Sequence, residues 1–178
     1  MSAAEPEQTV WQGKFIAAKT KGQWEYVARI RGIRAAVILA VDEHDHILLV
    51  EQFRAPLGKP CIELPAGLVG DHDDVAGEDA ASAANRELEE ETGYRAGSMD
   101  LIGEFYSSPG MVSEAFTLLR ARDLSQVGPG GGVDGEDITV HRVAMDDLPR
   151  FLDGSRARGA GIDVRLLLLL GARILGGN

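Results

Sequence analysis

The sequence is short of cysteine, of cationic side chains and of long apolar runs. Its one cysteine, Cys61, excludes an internal disulfide and fits a reducing compartment. Only 18 Lys and Arg stand against 28 Asp and Glu, and a net charge of −10 argues against a nucleic-acid-binding surface. The longest apolar run, Leu166–Leu170, is too short to span a bilayer, and no secretory leader pattern opens the chain. We therefore expect a cytoplasmic protein without a membrane partner.

The remaining composition is typical of one globular domain. Of 178 residues, 44% are hydrophobic and 26% charged, which is enough for one core of ordinary size. Neither an internal repeat nor a linker marks a second full domain. We expect an N-terminal strand arm over residues 1–33 and a main domain over residues 34–178.

An acidic cluster stands out in this composition. Four glutamates fall within five residues of a stretch that favours helix and ends at Gly93: Glu87, Glu89, Glu90 and Glu91. On a helix, Glu87, Glu90 and Glu91 share one face within roughly 5–6 Å, while Glu89 points away. Each pair repels by roughly 3 kcal/mol at an effective dielectric near 20, and a helix end prefers cations. The face is either simply solvated or built for Mg²⁺ or Mn²⁺.

The spacing from Glu78 through Arg86 to Tyr94 resembles the Nudix box, E-x7-R-E-U-x-E-E-x-G-U, in which U is apolar. This resemblance implies hydrolysis of a pyrophosphate bond in a nucleoside diphosphate linked to another group. It makes Glu87, Glu90 and Glu91 metal ligands, with Glu91 also catalytic, and Glu78 and Arg86 supporting residues.

One position departs from the box. The family has a glycine six residues before the first glutamate, where this chain has His72. Gly67 is the candidate replacement, and Val69–Ala76 then represents an insertion of about five residues, which a loop tolerates at little cost.

The segment Glu51–Leu68 resembles a narrower group, the ADP-ribose pyrophosphatases. The resemblance implies that Arg54 contacts the substrate diphosphate, that the Ala66 carbonyl binds a metal, and that Leu68 lines the nucleotide pocket. Pro109, sixteen residues beyond Gly93, also matches this group, although a Pro-Gly turn alone explains it.

The same resemblance extends to the arm and to the turn after Pro109. It implies that Trp24, Glu25 and Arg29 grip the adenosine end and that Met111 lines the pocket. Trp24 is alternatively a core aromatic. The group also implies a homodimer that exchanges N-terminal strands, in which Trp24 serves the partner's site.

A glycine-rich loop, Val127–Gly135, is expected to lack a single conformation without ligand. The resemblance places the base that activates water on it, at Glu136, with Asp134 as second choice. The alternative is a solvated acidic loop.

The pattern predicts an α/β fold: a Nudix α/β/α sandwich with a mixed central sheet and an N-terminal antiparallel strand pair. Apolar alternation and continuous apolar runs indicate these strands: Val10–Ala18, Gln23–Arg31, Ala35–Val41, Ile47–Phe53, Asp100–Tyr106, Glu114–Ala121 and Ile138–Ala144. A helix start is expected at Met145–Pro149, and a well-buried helix over Ile162–Leu175.

The expected reaction is metal-dependent hydrolysis of ADP-ribose to AMP and ribose 5-phosphate. A GDP-hexose or another nucleoside diphosphate sugar is the alternative substrate, because Trp24 can stack on any base. A non-catalytic nucleotide sensor is the alternative of another class, and the complete set of box glutamates speaks against it.

Overall fold

The computed structural model describes residues 5–30, 34–69, 79–133 and 135–176. Three of the predicted features lie outside the described residues: Glu78, Asp134 and residues 70–76 of the insertion. No helix in the described ranges is long and apolar enough to cross a membrane.

The described elements are eleven strands, three α-helices and one 3-10 turn. The strands are β1 Gln8–Gln12, β2 Ile16–Lys21, β3 Trp24–Arg29, β4 Arg34–Ala40, β5 His46–Arg54, β6 Lys59–Glu63, β7 Ala66–Val69, β8 Tyr94–Tyr106, β9 Ala115–Gln126, β10 Ile138–Ala144 and β11 Gly161–Ile162. The helices are α1 Ala80–Thr92, α2 Leu148–Ala157 and α3 Leu167–Gly176, with a 3-10 turn at Val164–Leu166.

The strands form three sheets in the described part of the chain. The arm is the antiparallel sheet β1-β2-β3, and the main domain contains the sheets β10-β5-β6-β11 and β7-β4-β9-β8. Strand β4 runs parallel to β9 and antiparallel to β7, so its sheet is mixed. The α/β fold with mixed sheets is thus confirmed.

Two cores lie on opposite faces of β4 and β5. Ala36 and Ile38 pack with Ala84 and Leu88 of α1, which gives one core. Val37 and its neighbours pack with Leu148 and Leu152 of α2 in the other core. Because both faces are covered, β4 and β5 need the nearly continuous apolar sequence that predicted them as buried strands.

The arm differs from the predicted strand pair. The stretch Val10–Ala18 is not one strand, because the chain turns at Gly13, whose N–H donates to the Ile16 carbonyl at 2.9 Å. The result is β1 followed by β2, and the arm has three strands.

The chain end also differs from the predicted helix over Ile162–Leu175. Asp163 stops β11 and caps the 3-10 turn by accepting from the Arg165 N–H at 2.7 Å, so α3 begins only at Leu167. The expectation of a well-buried helix was wrong at its start, since Leu167 and Leu168 are 48% and 56% exposed.

Candidate active site

Helix α1 carries the acidic face and has well-defined ends. The Asp79 carboxylate accepts from the N–H groups of Ala81 and Ser82, which makes it the N-cap. Gly93 ends the helix with a φ of 74°, as the sequence predicted. The three box glutamates therefore lie in its last two turns.

The glycine-rich loop covers this end of α1. The Gly131 N–H donates to the Glu91 carbonyl at 2.8 Å, and the Gly132 N–H to the Glu90 carbonyl at 3.0 Å. These donors satisfy carbonyls that a helix end otherwise leaves unpaired. Their N–H dipoles offset the negative helix end that disfavours carboxylates, and they hold the loop to α1.

One cavity of about 700 Å³ gathers most of the predicted site residues. Four arginines line it, Arg29, Arg54, Arg86 and Arg165. Seven carboxylates line it as well: Glu63, Glu87, Glu90, Glu91, Glu114, Glu136 and Asp163. Ala66 and Leu68 of β7 complete the predicted set in this cavity. Carboxylates thus outnumber arginines by three in its lining.

Two of the box glutamates are poorly solvated. Glu91 is 6% exposed and accepts from the Ala66 N–H at 3.0 Å. Burial raises the pKa of Glu91 to about 8, and the Ala66 hydrogen bond opposes this only in part. Burial also raises the pKa of Glu87, and Glu90 nearby adds to that rise. A cation beside these groups would restore their charged forms.

Arg86, the arginine of the Nudix box, lies between Glu87 and Glu90. Nη1 of Arg86 is 3.1 Å from Glu87 Oε1 and 3.1 Å from Glu90 Oε2. Within the described ranges, no three Asp, Glu, His or Cys side chains are gathered closely enough to form a ready-made metal cluster. The donor set is all oxygen and fits Mg²⁺ or Mn²⁺, once the carboxylates turn from the guanidinium.

Arginine–carboxylate pairs also line the cavity. Arg54 of β5 donates from Nε and Nη2 to Glu63 of β6 at 2.6 and 2.7 Å. This hydrogen-bonded contact raises the pKa of Arg54 and keeps it charged. Arg29 pairs with Glu114, which joins the arm to the main domain at the cavity.

Glu136 enters the cavity from the glycine-rich loop. Its Oε2 accepts from the Val133 N–H at 3.1 Å, and its own N–H donates to the Val133 carbonyl at 3.0 Å. The side chain is exposed and faces the same space as Glu87 and Glu91. It can therefore accept a proton from a water inside the cavity.

Residues 31–160 match the NUDIX domain. The chain belongs to the Nudix hydrolase family. The match covers β4 to α2 and so includes the acidic helix, the glycine-rich loop and Arg54, but not the arm.

Several relatives of this Nudix domain carry names. The chain is 35% identical over 120 residues to the ADP-ribose pyrophosphatase of Bacillus subtilis (strain 168), across 67% of this chain and 62% of that protein. It is 33% identical over 128 residues to the methanol dehydrogenase activator of Bacillus methanolicus, across 71% and 66%. It is 37% identical over 125 residues to the GDP-mannose pyrophosphatase of Cronobacter sakazakii, across 66% and 62%. The chain thus spans just under two thirds of these relatives.

A solved structure shares the fold. A crystal structure of an ADP compounds hydrolase aligns with a TM-score of 0.68, over 97% of this chain and 94% of that chain. At 22% identity this likeness concerns the fold alone.

The departure in the Nudix box has a local structural counterpart. A Cβ at Gly67 of β7 would overlap the Glu87 side chain, so only glycine lets this strand lie so close to α1. This is consistent with Gly67 replacing the glycine that the box lacks at His72.

Three of the predicted substrate-binding residues lie outside the cavity of this Nudix domain. Trp24 is 56% exposed on the arm and borders a separate pocket with Pro109 and Gly110. Glu25 is exposed beside it, and Met111 is 65% exposed while its carbonyl accepts from Val27 of β3. Their role in substrate binding stays a prediction.

The cavity also contains residues that no sequence pattern marks as functional. Glu63 belongs to the segment Glu51–Leu68 but has no role in that resemblance, and Asp163 and Arg165 fall in the stretch predicted as a helix. The available signal for Glu63 is a carboxylate inside the apolar stretch Cys61–Leu64, where an unpaired charge is costly.

Proposed function

We propose that this Nudix hydrolase cleaves the diphosphate of a nucleoside diphosphate sugar with Mg²⁺ or Mn²⁺ as cofactor. The observation that carries the proposal is that one cavity gathers the carboxylates of α1, Glu136 and the charged Arg54. The carboxylate oxygens fit hard cations, and the guanidinium fits phosphate oxygens.

The charge of the cavity supports the cofactor. Seven carboxylates face four arginines in its lining, which stays net negative even with Glu91 protonated, so an anionic diphosphate would be repelled. Bound divalent cations would offset this repulsion, stabilise charge on phosphorus and lower the pKa of the attacking water.

Each residue then has a separate task. Glu87, Glu90, Glu91 and the Ala66 carbonyl would hold the cations, and the hydrogen bond from Ala66 N–H orients Glu91. Arg54 would orient the diphosphate, and Glu136 would take a proton from the water. The water oxygen bonds to phosphorus as the bond from that phosphorus to the bridging oxygen breaks.

ADP-ribose is the first candidate substrate, with AMP and ribose 5-phosphate as products. The relative named ADP-ribose pyrophosphatase and the position of Pro109 support it. A GDP-hexose is the second candidate, supported by the relative named GDP-mannose pyrophosphatase.

A panel of nucleoside diphosphate sugars tests the proposal. Each is incubated with the protein in Mg²⁺, in Mn²⁺ and in EDTA, and the nucleoside monophosphate released is measured. We expect release from ADP-ribose that depends on the metal. Absence of release from every member, or equal release in EDTA, would contradict the proposal.

We further propose a homodimer in which arms exchange. Trp24 and Glu25 lie outside their own chain's cavity, and an exchange of arms would bring them to the cavity of another copy. Their exposure on β3 is compatible with this arrangement.

A further inference from the structure

Glu63 is a buried carboxylate that joins two arginines of the cavity. It is 2% exposed and lies at the end of β6. Arg54 donates to both of its oxygens, and Nη2 of Arg165 lies 3.4 Å from Oε2. A buried carboxylate is costly unless it is paired, so both guanidinium groups are drawn to this point.

Arg165 is fixed from its other side as well. Its Nε and Nη2 donate to Asp163 at 2.6 and 2.7 Å. The Asp163 N–H donates to the Ile62 carbonyl at 3.0 Å, which brings the 3-10 turn beside the end of β6. The guanidinium also lies 5.8 Å from the centre of the Phe116 ring. Arg165 is therefore held in one orientation at the cavity.

The two arginines use the same edge for these contacts. In both Arg54 and Arg165 the carboxylates take Nε and Nη2, and Nη1 makes no hydrogen bond to any described residue. A guanidinium keeps donors on Nη1 after its Nε–Nη2 edge is occupied. Both side chains line the cavity, and Nη1 is the nitrogen that each has left for a bound anion.

We propose that Arg165 is a second arginine that binds the substrate diphosphate, acting beside Arg54, and that Glu63 positions the pair. The inference rests on the proposed function and adds a residue from outside the two sequence motifs. Pre-aligned donors reduce the ordering cost of binding a diphosphate, whose oxygens match a planar guanidinium.

Kinetics of two variants distinguish a role of Arg165 in substrate binding from a purely structural role in stabilising the 3-10 turn. R165Q removes the charge, and R165K keeps the charge but not the planar edge. R156Q is the matched control, because Arg156 is an exposed arginine of α2 that pairs with Asp153 at 2.8 Å. The substrate is the panel member that the wild type hydrolyses fastest.

We expect R165Q to raise KM about tenfold, the effect of losing one charge-assisted hydrogen bond, with kcat changed less than about twofold. R165K should raise KM by a smaller factor and keep the melting temperature near that of the wild type. R156Q should match the wild type. A normal KM in R165K and in any folded R165Q would overturn the inference, whatever the melting temperatures.

Calorimetry separates this inference from the proposed function. Inorganic diphosphate with Mg²⁺ is titrated into the wild type, R165K and R165Q. We expect weaker binding by both variants even if no panel member is hydrolysed. Absence of hydrolysis together with weaker binding would reject only the proposed reaction. Equal binding by wild type and variants would reject the role of Arg165 while leaving the reaction in place.

Discussion

Glu89 and Glu90 are neighbours in sequence with different surroundings. Glu89 pairs with Arg95 at 2.9 and 3.0 Å on the outer side of α1. Glu90 lines the cavity and lies 3.1 Å from Arg86. Substituting Glu90 therefore removes a charge from the cavity, and substituting Glu89 removes one from the outer surface of the same helix turn.

We expect E90Q to lose turnover by at least about a hundredfold, because a proposed metal ligand is removed while the helix is kept. E89Q should retain activity. The melting temperature provides a second readout: Mg²⁺ should raise it in wild type and E89Q, and less in E90Q. Near-normal turnover in E90Q would contradict the metal assignment.

Burial of Glu91 predicts a pH dependence of stability in the metal-free protein. Burial raises its pKa from the ordinary value of 4.5 to about 8. Between these values the folded chain binds more protons than the unfolded chain, so the free energy of unfolding falls as pH rises. Above pH 8 this contribution is constant.

Replacing the carboxyl group isolates this effect. E91Q stays neutral and can still accept from the Ala66 N–H, so its free energy of unfolding should fall less than that of wild type between pH 5 and pH 8. Urea denaturation in EDTA measures both, with E89Q as the control. Parallel pH dependence in wild type and E91Q would show that Glu91 ionises normally.

At the scale of elements, the glycine-rich loop acts as a cap for α1. Gly130 has a φ of 67°, and a Cβ there would lie 2.7 Å from the Gly93 nitrogen. Glycine is required at this contact, since a side chain would strain the backbone and push the loop from the helix. Glu136 directly follows this loop, so the contact of the loop with α1 determines the position of the Glu136 carboxylate.

G130A should therefore lower the free energy of unfolding by roughly 1–3 kcal/mol and reduce kcat as well. G128A is the control from the same loop, because a Cβ at Gly128 meets nothing within 4 Å and its N–H bond to Gly93 is kept. Chemical denaturation and turnover are compared for the two. Equal losses of stability and kcat in G130A and G128A would argue against a specific contact between Gly130 and α1.

At the scale of the whole molecule, the arm meets the main domain through β3. The Val27 N–H donates to the Met111 carbonyl at 2.9 Å, and the Ser113 N–H donates to the Val27 carbonyl at 3.0 Å. This contact leaves Trp24 exposed rather than in the cavity. The proposed exchange of arms between two copies predicts that Trp24 binds substrate in the cavity of the other copy.

Sedimentation at micromolar concentration should give a particle twice the mass of the 19.1 kDa chain. In that dimer W24A should raise KM about tenfold through loss of base stacking. W11A is the control, because Trp11 is 57% exposed on β1 of the same arm. A strict monomer would refute the exchange, and a normal KM in W24A would remove Trp24 from the site.

Much of the site was predictable because it depends on local periodicity. Glu87, Glu90 and Glu91 share a face on any helix, and Gly93 can end that helix in any protein. Strand β10 was predicted with its observed bounds, Ile138–Ala144. Strands β4 and β5 were also predicted, but the expectation that they pair with each other was wrong: β4 lies between β7 and β9, and β5 lies between β10 and β6.

The sequence by itself determined the family, the acidic face of α1 and the arginine at the end of β5, since each is carried by fixed spacing over a few residues. Only the tertiary structure decided how the glycine-rich loop caps α1 and how Glu63 gathers Arg54 and Arg165. Glu63 and Arg165 are 102 residues apart, and they meet because β11 pairs in parallel with β6. Hydrogen bonding between distant strands sets that contact, and no local pattern of side chains encodes it.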